Sequence, residues 1–186
     1  DVLAQILKGA LAESLGTEEA LWGSHPRFIS KYRLTAEKKE KLASLLSYYK
    51  GTKNHHNFTV GRKPADRSNM RYIINFVPDE YFVVDGMEFV RLRVHGASFM
   101  LHQIRKMVGL AVAAIRGLVK ENVYGRCFDR EQIHVPKAPA LGLFLHRVHY
   151  DAYNRKVQSV KDRETMAQAY ARVEDQIKAF RNDKIV

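Results

Sequence analysis

Along this chain, apolar positions recur every three or four residues in several stretches and alternate one-in-two in the middle. Those two periods separate helix from strand. Val2 to Leu15 carries the helical period, while residues 16–33 scatter Gly, Trp, Pro and apolar side chains without one and read as irregular. Thr35 suits the N-cap of a helix running through Tyr49, with Leu42, Leu45, Leu46 and Tyr49 on one side and Gly51 beyond its end. Past a polar loop the period becomes two. Arg71–Val77 and Tyr81–Val84 read as strands, Asp85-Gly86 as a two-residue hairpin turn, and Met87–His95 as the returning strand. That strand sorts Val90, Leu92 and Val94 to one face and Phe89, Arg91, Arg93 and His95 to the other.

The stretch SFMLHQIRKMVG then opens the longest helical pattern. Ser98 is its expected N-cap, and Leu101, Ile104, Val108, Val112, Ile115 and Val119 its expected buried stripe up to Lys120. His102, Arg105 and Gly109 lie on a neighbouring stripe, which raises the question of what an arginine does beside a core face. A short polar segment at Asp129–Gln132 precedes VPKAPALGLFLHRVHY, expected as a loop and then a strand. A charged helix from Asp162 to Arg181 should bury Met166, Tyr170, Val173, Ile177 and Phe180. This order predicts an α+β fold: an antiparallel β-sheet with helices packed on one face and the other face left for a ligand.

Composition narrows the partners. The 186 residues are 46% hydrophobic and 27% charged, which fits a globular chain with a proper core. No apolar run reaches the roughly 18 residues a membrane span needs. The start DVLAQILKGALAESLG lacks a basic leader and does not begin with Met, as expected of a trimmed or partial chain without a signal peptide. Cys127 stands alone, excluding an internal disulfide and pointing to a reducing, intracellular compartment. A formal net charge of +11 favours a polyanion, nucleic acid before an anionic membrane. It concentrates between Lys50 and Arg71, where Lys50, Lys53, Arg62, Lys63, Arg67 and Arg71 face the single Asp66, with His55, His56 and Phe58 interleaved. Such a loop meets phosphates and stacks on unpaired bases.

Standard catalytic templates are missing. No P-loop, GxGxxG, GxSxG or zinc-type cysteine spacing occurs. His55 and His56 are adjacent and lack further ligands nearby, so no metal site is expected. Cys127 has no evident activating base, and no acid pair stands out. The residues by themselves reach a basic α+β domain with a positive, aromatic-bearing face.

Three segments carry more. GTKNHHNFT, VHGASFMLHQIRKMVG and VPKAPALGLFLHRVHY, in that order, resemble the catalytic-domain motifs of the TruA-type tRNA pseudouridine synthases, eukaryotic branch, over about Tyr32 to Tyr153. The resemblance implies isomerisation of uridine in tRNA or other structured RNA: the base leaves C1′, rotates and is rejoined through its C5, without cofactor. It implies a flipped base in a pocket with phosphate clamps around it. In that family an aspartate in a Gly-Arg-Thr-Asp motif is the nucleophile, a basic residue of the helix motif pairs with it, and a leucine of the Gly-Leu motif packs in the pocket. Carried over, these last two are Arg105 and Leu143. Candidate RNA contacts are Lys50, Lys53, His55, His56, Arg62, Lys63, Arg67, Arg71, Arg91, Arg93, His102 and Lys106.

One departure is informative. Gly-Arg-Thr-Asp occurs nowhere in the chain, nor does the motif that in the family supplies a tyrosine to pair with that aspartate. The expectation is therefore a C-terminal portion holding half of an RNA-binding catalytic cleft, inactive alone and completed by the N-terminal half of the same enzyme. Its divisions would be residues 1–34 as helix and connection, 35–155 as part of the catalytic domain, and 156–186 as a helical extension. A nuclear or mitochondrial location is expected rather than a cytoplasmic one. The alternatives are a non-catalytic RNA-binding module of the same fold and an interaction domain whose charge is incidental.

Overall fold

The computed structural model describes residues 33–84, 86–160 and 163–184. The helix expected at Val2–Leu15 and nearly all of the irregular connection lie outside the described residues, as does Asp85 of the hairpin turn. The chain divides into two compact units, the first running to Pro139 and the second starting at Ala140.

In the first unit, helix α1 (Ala36–Ser47) begins as expected, with Thr35 Oγ1 accepting the Lys38 amide at 3.3 Å. Its Leu42, Leu45 and Leu46 are buried, together with Tyr49 just past its end. Strands β1 (Gly51–Asn54), β2 (Met70–Val84) and β3 (Met87–Gly96) form an antiparallel sheet in that order, and α1 packs against β2. The fold is therefore α+β, as the periods predict. Val84 pairs with Met87 across the hairpin, and Gly86 takes φ +81°, a value such a turn demands and glycine adopts without strain.

The two strands expected between Arg71 and Val84 are one continuous 15-residue strand. Pro78 interrupts the alternation without ending the ladder. The register slips between Pro78 and Glu80, and such an irregularity accommodates a residue that has no N–H to donate. Val90, Leu92 and Val94 lean on the core as anticipated, while Phe89 stays exposed and stacks on Phe82 at 5.8 Å.

Helix α2 (Gln103–Ile115) departs from expectation at its start and around its circumference. Ser98 is not its cap. The chain makes a turn first, in which the Gln103 amide reaches Met100 O at 3.0 Å and Gln103 Oε1 accepts the Met100 amide at 2.8 Å. His102 sits in that turn at φ +62°, the left-handed region. The buried face is Gln103, Met107, Leu110, Ala111 and Ala114, rotated from the expected stripe, and Leu101 is 66% exposed. Both stripes are apolar, so the periodicity does not choose between them; Tyr49 does. Its ring is wholly buried against Phe58, Phe76, Tyr124 and Phe128, and its hydroxyl donates to Met107 O at 2.9 Å, which turns the Met107 face inward. Burial pushes the Tyr49 phenol well above its ordinary pKa, so it stays a neutral donor.

The helix stops short of Lys120. Gly117, at φ +74°, donates to Ala114 O at 3.0 Å and Leu118 to Ala113 O at 2.9 Å, the two bonds of a Schellman ending. A further helix, α3 (Val123–Phe128), follows and buries Tyr124 and Cys127. Its six residues are too few to display a period.

In the second unit, residues 140–150 form no strand, contrary to expectation. Alternation alone does not make a strand without a ladder partner, and none pairs with this segment among the described residues. Helices α4 (Asp151–Val157) and α5 (Met166–Lys184) follow, joined where Asn154 Oδ1 accepts the Met166 amide at 2.9 Å. The apolar stripe of α5 is not buried along its length: Met166, Tyr170 and Ile177 are half-buried, whereas Val173 is exposed and Phe180 is 63% exposed. No helix among the described residues is long and apolar enough to cross a membrane.

Candidate functional site

The basic loop between β1 and β2 is held by its own polar side chains. Asn54 Nδ2 donates to Pro64 O at 2.7 Å and the buried Asn69 Nδ2 to Lys63 O at 2.8 Å. Asp66, the loop's only acid, accepts the Ser68 amide at 2.8 Å and pairs with Arg62 at 2.9 Å. Hydrogen bonds from Ser68, then the Arg62 partner, hold its carboxyl below the usual carboxylate range. Lys50, Lys63 and Arg67 are left exposed on this scaffold. Arg71 is turned back, donating to Ser68 O and Met70 O. Lys53 caps Tyr48 O and lies over the Phe128 ring at 4.7 Å, and burial lowers its pKa.

The histidine and asparagine residues of GTKNHHNFT brace the core. Asn57 donates to Cys127 O at 3.0 Å and Glu131 O at 2.8 Å, and accepts the Ile133 amide at 2.9 Å. His56 adds a bond to Glu131 O at 3.0 Å. Together they clamp the segment after α3. His55 is 0% exposed, between Phe58 and Phe128, with Nδ1 2.9 Å from Lys53 O and no partner for Nε2 among the described residues. With no surface exposed, it offers nothing to an RNA in this fold.

That burial makes a prediction. Desolvation pushes the His55 pKa down to about 4 from 6.5, outweighing the hydrogen bond to Lys53 O. The unfolded chain therefore takes up the proton first, so stability is full above about pH 6.5 and falls as pH drops towards 4, by on the order of 3 kcal/mol. Denaturant unfolding at pH 7, 5.5 and 4 measures it. A His55→Phe variant should lose most of that slope.

His56 and the loop border an open groove of about 480 Å³, lined also by Thr59, Arg62, Lys63, Lys106, Gln132 and His134. Lys106 donates its ammonium to Asn57 O at 3.1 Å and Thr59 O at 2.8 Å, so it caps the turn at His56–Phe58 while facing the groove. On the sheet, Arg91 pairs with Glu80 and Arg93 with Asp79 at 2.7 Å, which offsets the positive face expected there.

Arg105 lies on α2 outside the helix's buried face and is itself half-buried. Its Nε donates to Ala138 O at 2.7 Å. No carboxylate pairs with it among the described residues. His102, Lys106 and Lys137 share its surroundings: burial first, then the charges of Lys137, Arg105 and Lys106, lower the His102 pKa and favour the neutral imidazole. Such a corner attracts an anion, a carboxylate or a phosphate. The left-handed His102 and the Ala138 carbonyl that meets Arg105 are local features that periodicity does not reveal. Leu143 belongs to the second unit, 48% exposed, in a turn where its amide donates to Ala140 O at 3.0 Å. Among the described residues no group of three or more His, Cys, Asp or Glu is placed to hold a metal ion.

Comparison with known proteins agrees with these motifs. Residues 45–151 match the family model described as tRNA pseudouridine synthase. The chain is 46% identical over 154 residues to the human Pseudouridylate synthase 1 homolog, covering 83% of this chain and 36% of that protein. It is 50% identical over 125 residues to the mouse Pseudouridylate synthase 1 homolog, covering 67% of this chain and 30% of that protein. Against tRNA pseudouridine synthase 1 of Yarrowia lipolytica it is 38% identical over 167 residues, 89% of this chain and 31% of the relative. It spans about a third of the length of these relatives. With the family model matched over more than half its length, in the region that holds α2, Arg105 and the groove, this chain belongs to the TruA-type tRNA pseudouridine synthase family.

Proposed function

We propose that this chain is the part of a tRNA pseudouridine synthase that carries the charge partner of the nucleophile and not the nucleophile itself. The observation that carries this reading is Arg105: a half-buried guanidinium, gripped by a backbone carbonyl and unpaired with acid among the described residues, within the helix motif of the family. An aspartate supplied by the N-terminal half of the same enzyme pairs with it. The opposite charge keeps that carboxylate ionised in a site from which water is excluded, and so able to attack. Leu143 packs against the flipped uracil, and exposed cations of the basic loop hold the tRNA backbone. The names of the family and of the Yarrowia lipolytica relative support tRNA as the substrate. Without its own Gly-Arg-Thr-Asp segment the chain is inactive alone, and its place of action is the nucleus or mitochondrion.

Tritium release from 5-tritiated uridine in tRNA tests this. The full-length enzyme should release tritium, and the isolated chain should release none while still binding tRNA at low salt. Release by the isolated chain would defeat the division of the site. A full-length protein that binds tRNA but never releases tritium would mark a non-catalytic RNA-binding module of the same fold.

A further inference from the structure

We infer that the segment Val135–Ala138 is a strap that positions the Arg105 guanidinium, and that Gly109 is the residue admitting it. The inference rests on the reading of Arg105 as the nucleophile's partner. Ala138 grips Arg105 twice: its amide donates to Arg105 O at 3.0 Å, and its carbonyl accepts from Arg105 Nε at 2.7 Å. With Nε engaged, the terminal pair of guanidinium nitrogens remains for a two-pronged contact with a carboxylate. Val135, buried in the core, anchors the strap at one end.

Gly109 lies one turn along α2 from Arg105. A Cβ there would stand 2.2 Å from Pro136 O, 2.9 Å from its carbonyl carbon and 3.2 Å from the Ala138 amide. All three are backbone atoms, so no side-chain rotation relieves the clash; the strap itself must move. Arg105 and Gly109 therefore meet the same backbone segment. Glycine makes room for a backbone crossing, and that crossing holds the arginine. The strap also delivers Lys137 to the cationic corner of His102 and Lys106.

Gly109→Ala in the full-length enzyme tests this, with Pro136→Gly as a second variant that slackens the strap without adding volume. Displacing a positioned group by about an ångström lowers kcat by about a hundredfold. Gly109→Ala should do so while KM for tRNA stays within about threefold, the signature of an interaction made in the transition state. Pro136→Gly should show a smaller fall confined to kcat. In an Arg105→Met background Gly109→Ala should add no further loss, because residues acting through one another are not additive. Parental kcat in Gly109→Ala, an effect on KM alone, or an additive loss would overturn the strap. Should Gly109→Ala fail to fold, parental kcat in Pro136→Gly overturns it instead. Parental turnover in Arg105→Met would defeat the reading of Arg105 itself, whereas a dead Arg105→Met beside a fully active Gly109→Ala defeats only the strap.

Discussion

Arg105→Met in the full-length enzyme should lower turnover by about 10²–10³, the usual effect of deleting one preorganised electrostatic partner from a dry site. Methionine keeps the length and much of the apolar stem, so the change isolates the charge. Under the proposed pairing, the guanidinium should favour the ionised aspartate and hold its pKa down, so the active form should be present above that pKa and lost as pH falls through it. Without the guanidinium the aspartate is desolvated and unpaired, its pKa rises, and the acid limb of the rate profile moves to higher pH. Stability should change little. The lost bond to Ala138 O is worth about 1 kcal/mol, and the core face of α2 is carried by Met107, Leu110, Ala111 and Ala114. Arg105→Lys should be intermediate, since an ammonium keeps charge but loses the planar fork. Tritium release across pH 5–9, beside thermal melts of the three proteins, decides it. Near-parental turnover in the methionine variant removes the assignment.

Binding of tRNA should collapse as salt rises. Each neutralised phosphate contributes about 0.7 to 0.9 to the slope of log affinity against log salt, so a handful of contacts produces losses of orders of magnitude between low and physiological salt. The structure changes which cations are worth removing. Lys53 and Arg71 are engaged with backbone carbonyls, and Arg62 with Asp66, whereas Lys50, Lys63 and Arg67 are exposed. Replacing those three with alanine should reduce the slope by about 2 to 3. The weakening should be similar for different tRNAs, because phosphate contacts carry no sequence information. Filter binding at several salt concentrations measures it. An unchanged slope places the RNA elsewhere on the molecule.

Local chemistry was legible from the residues alone. Thr35 caps α1 because its hydroxyl needs only the amide three residues on, and the turn at Asp85-Gly86 needs only a residue tolerant of positive φ. The alternation of β3 correctly sorted Val90, Leu92 and Val94 inward, since one side of that strand is plainly apolar. The motifs around Arg105 were enough for the family, because order along the chain survives without coordinates.

What required the tertiary structure is every choice between faces, and every polar group whose partner is distant in sequence. α2 is apolar over more than one stripe, so its inward face was decided by Tyr49 reaching Met107 O, 58 residues away. His55 and Asn57 look like surface chemistry in sequence. They are buried because the Lys53 carbonyl, and the backbone of Cys127, Glu131 and Ile133, come round to meet them. Residues 140–150 alternate like a strand and form none, since a ladder is a property of two segments. Gly109 could be read as a helix glycine without purpose. Only the tertiary structure brings Pro136 across it, leaving no room for a Cβ.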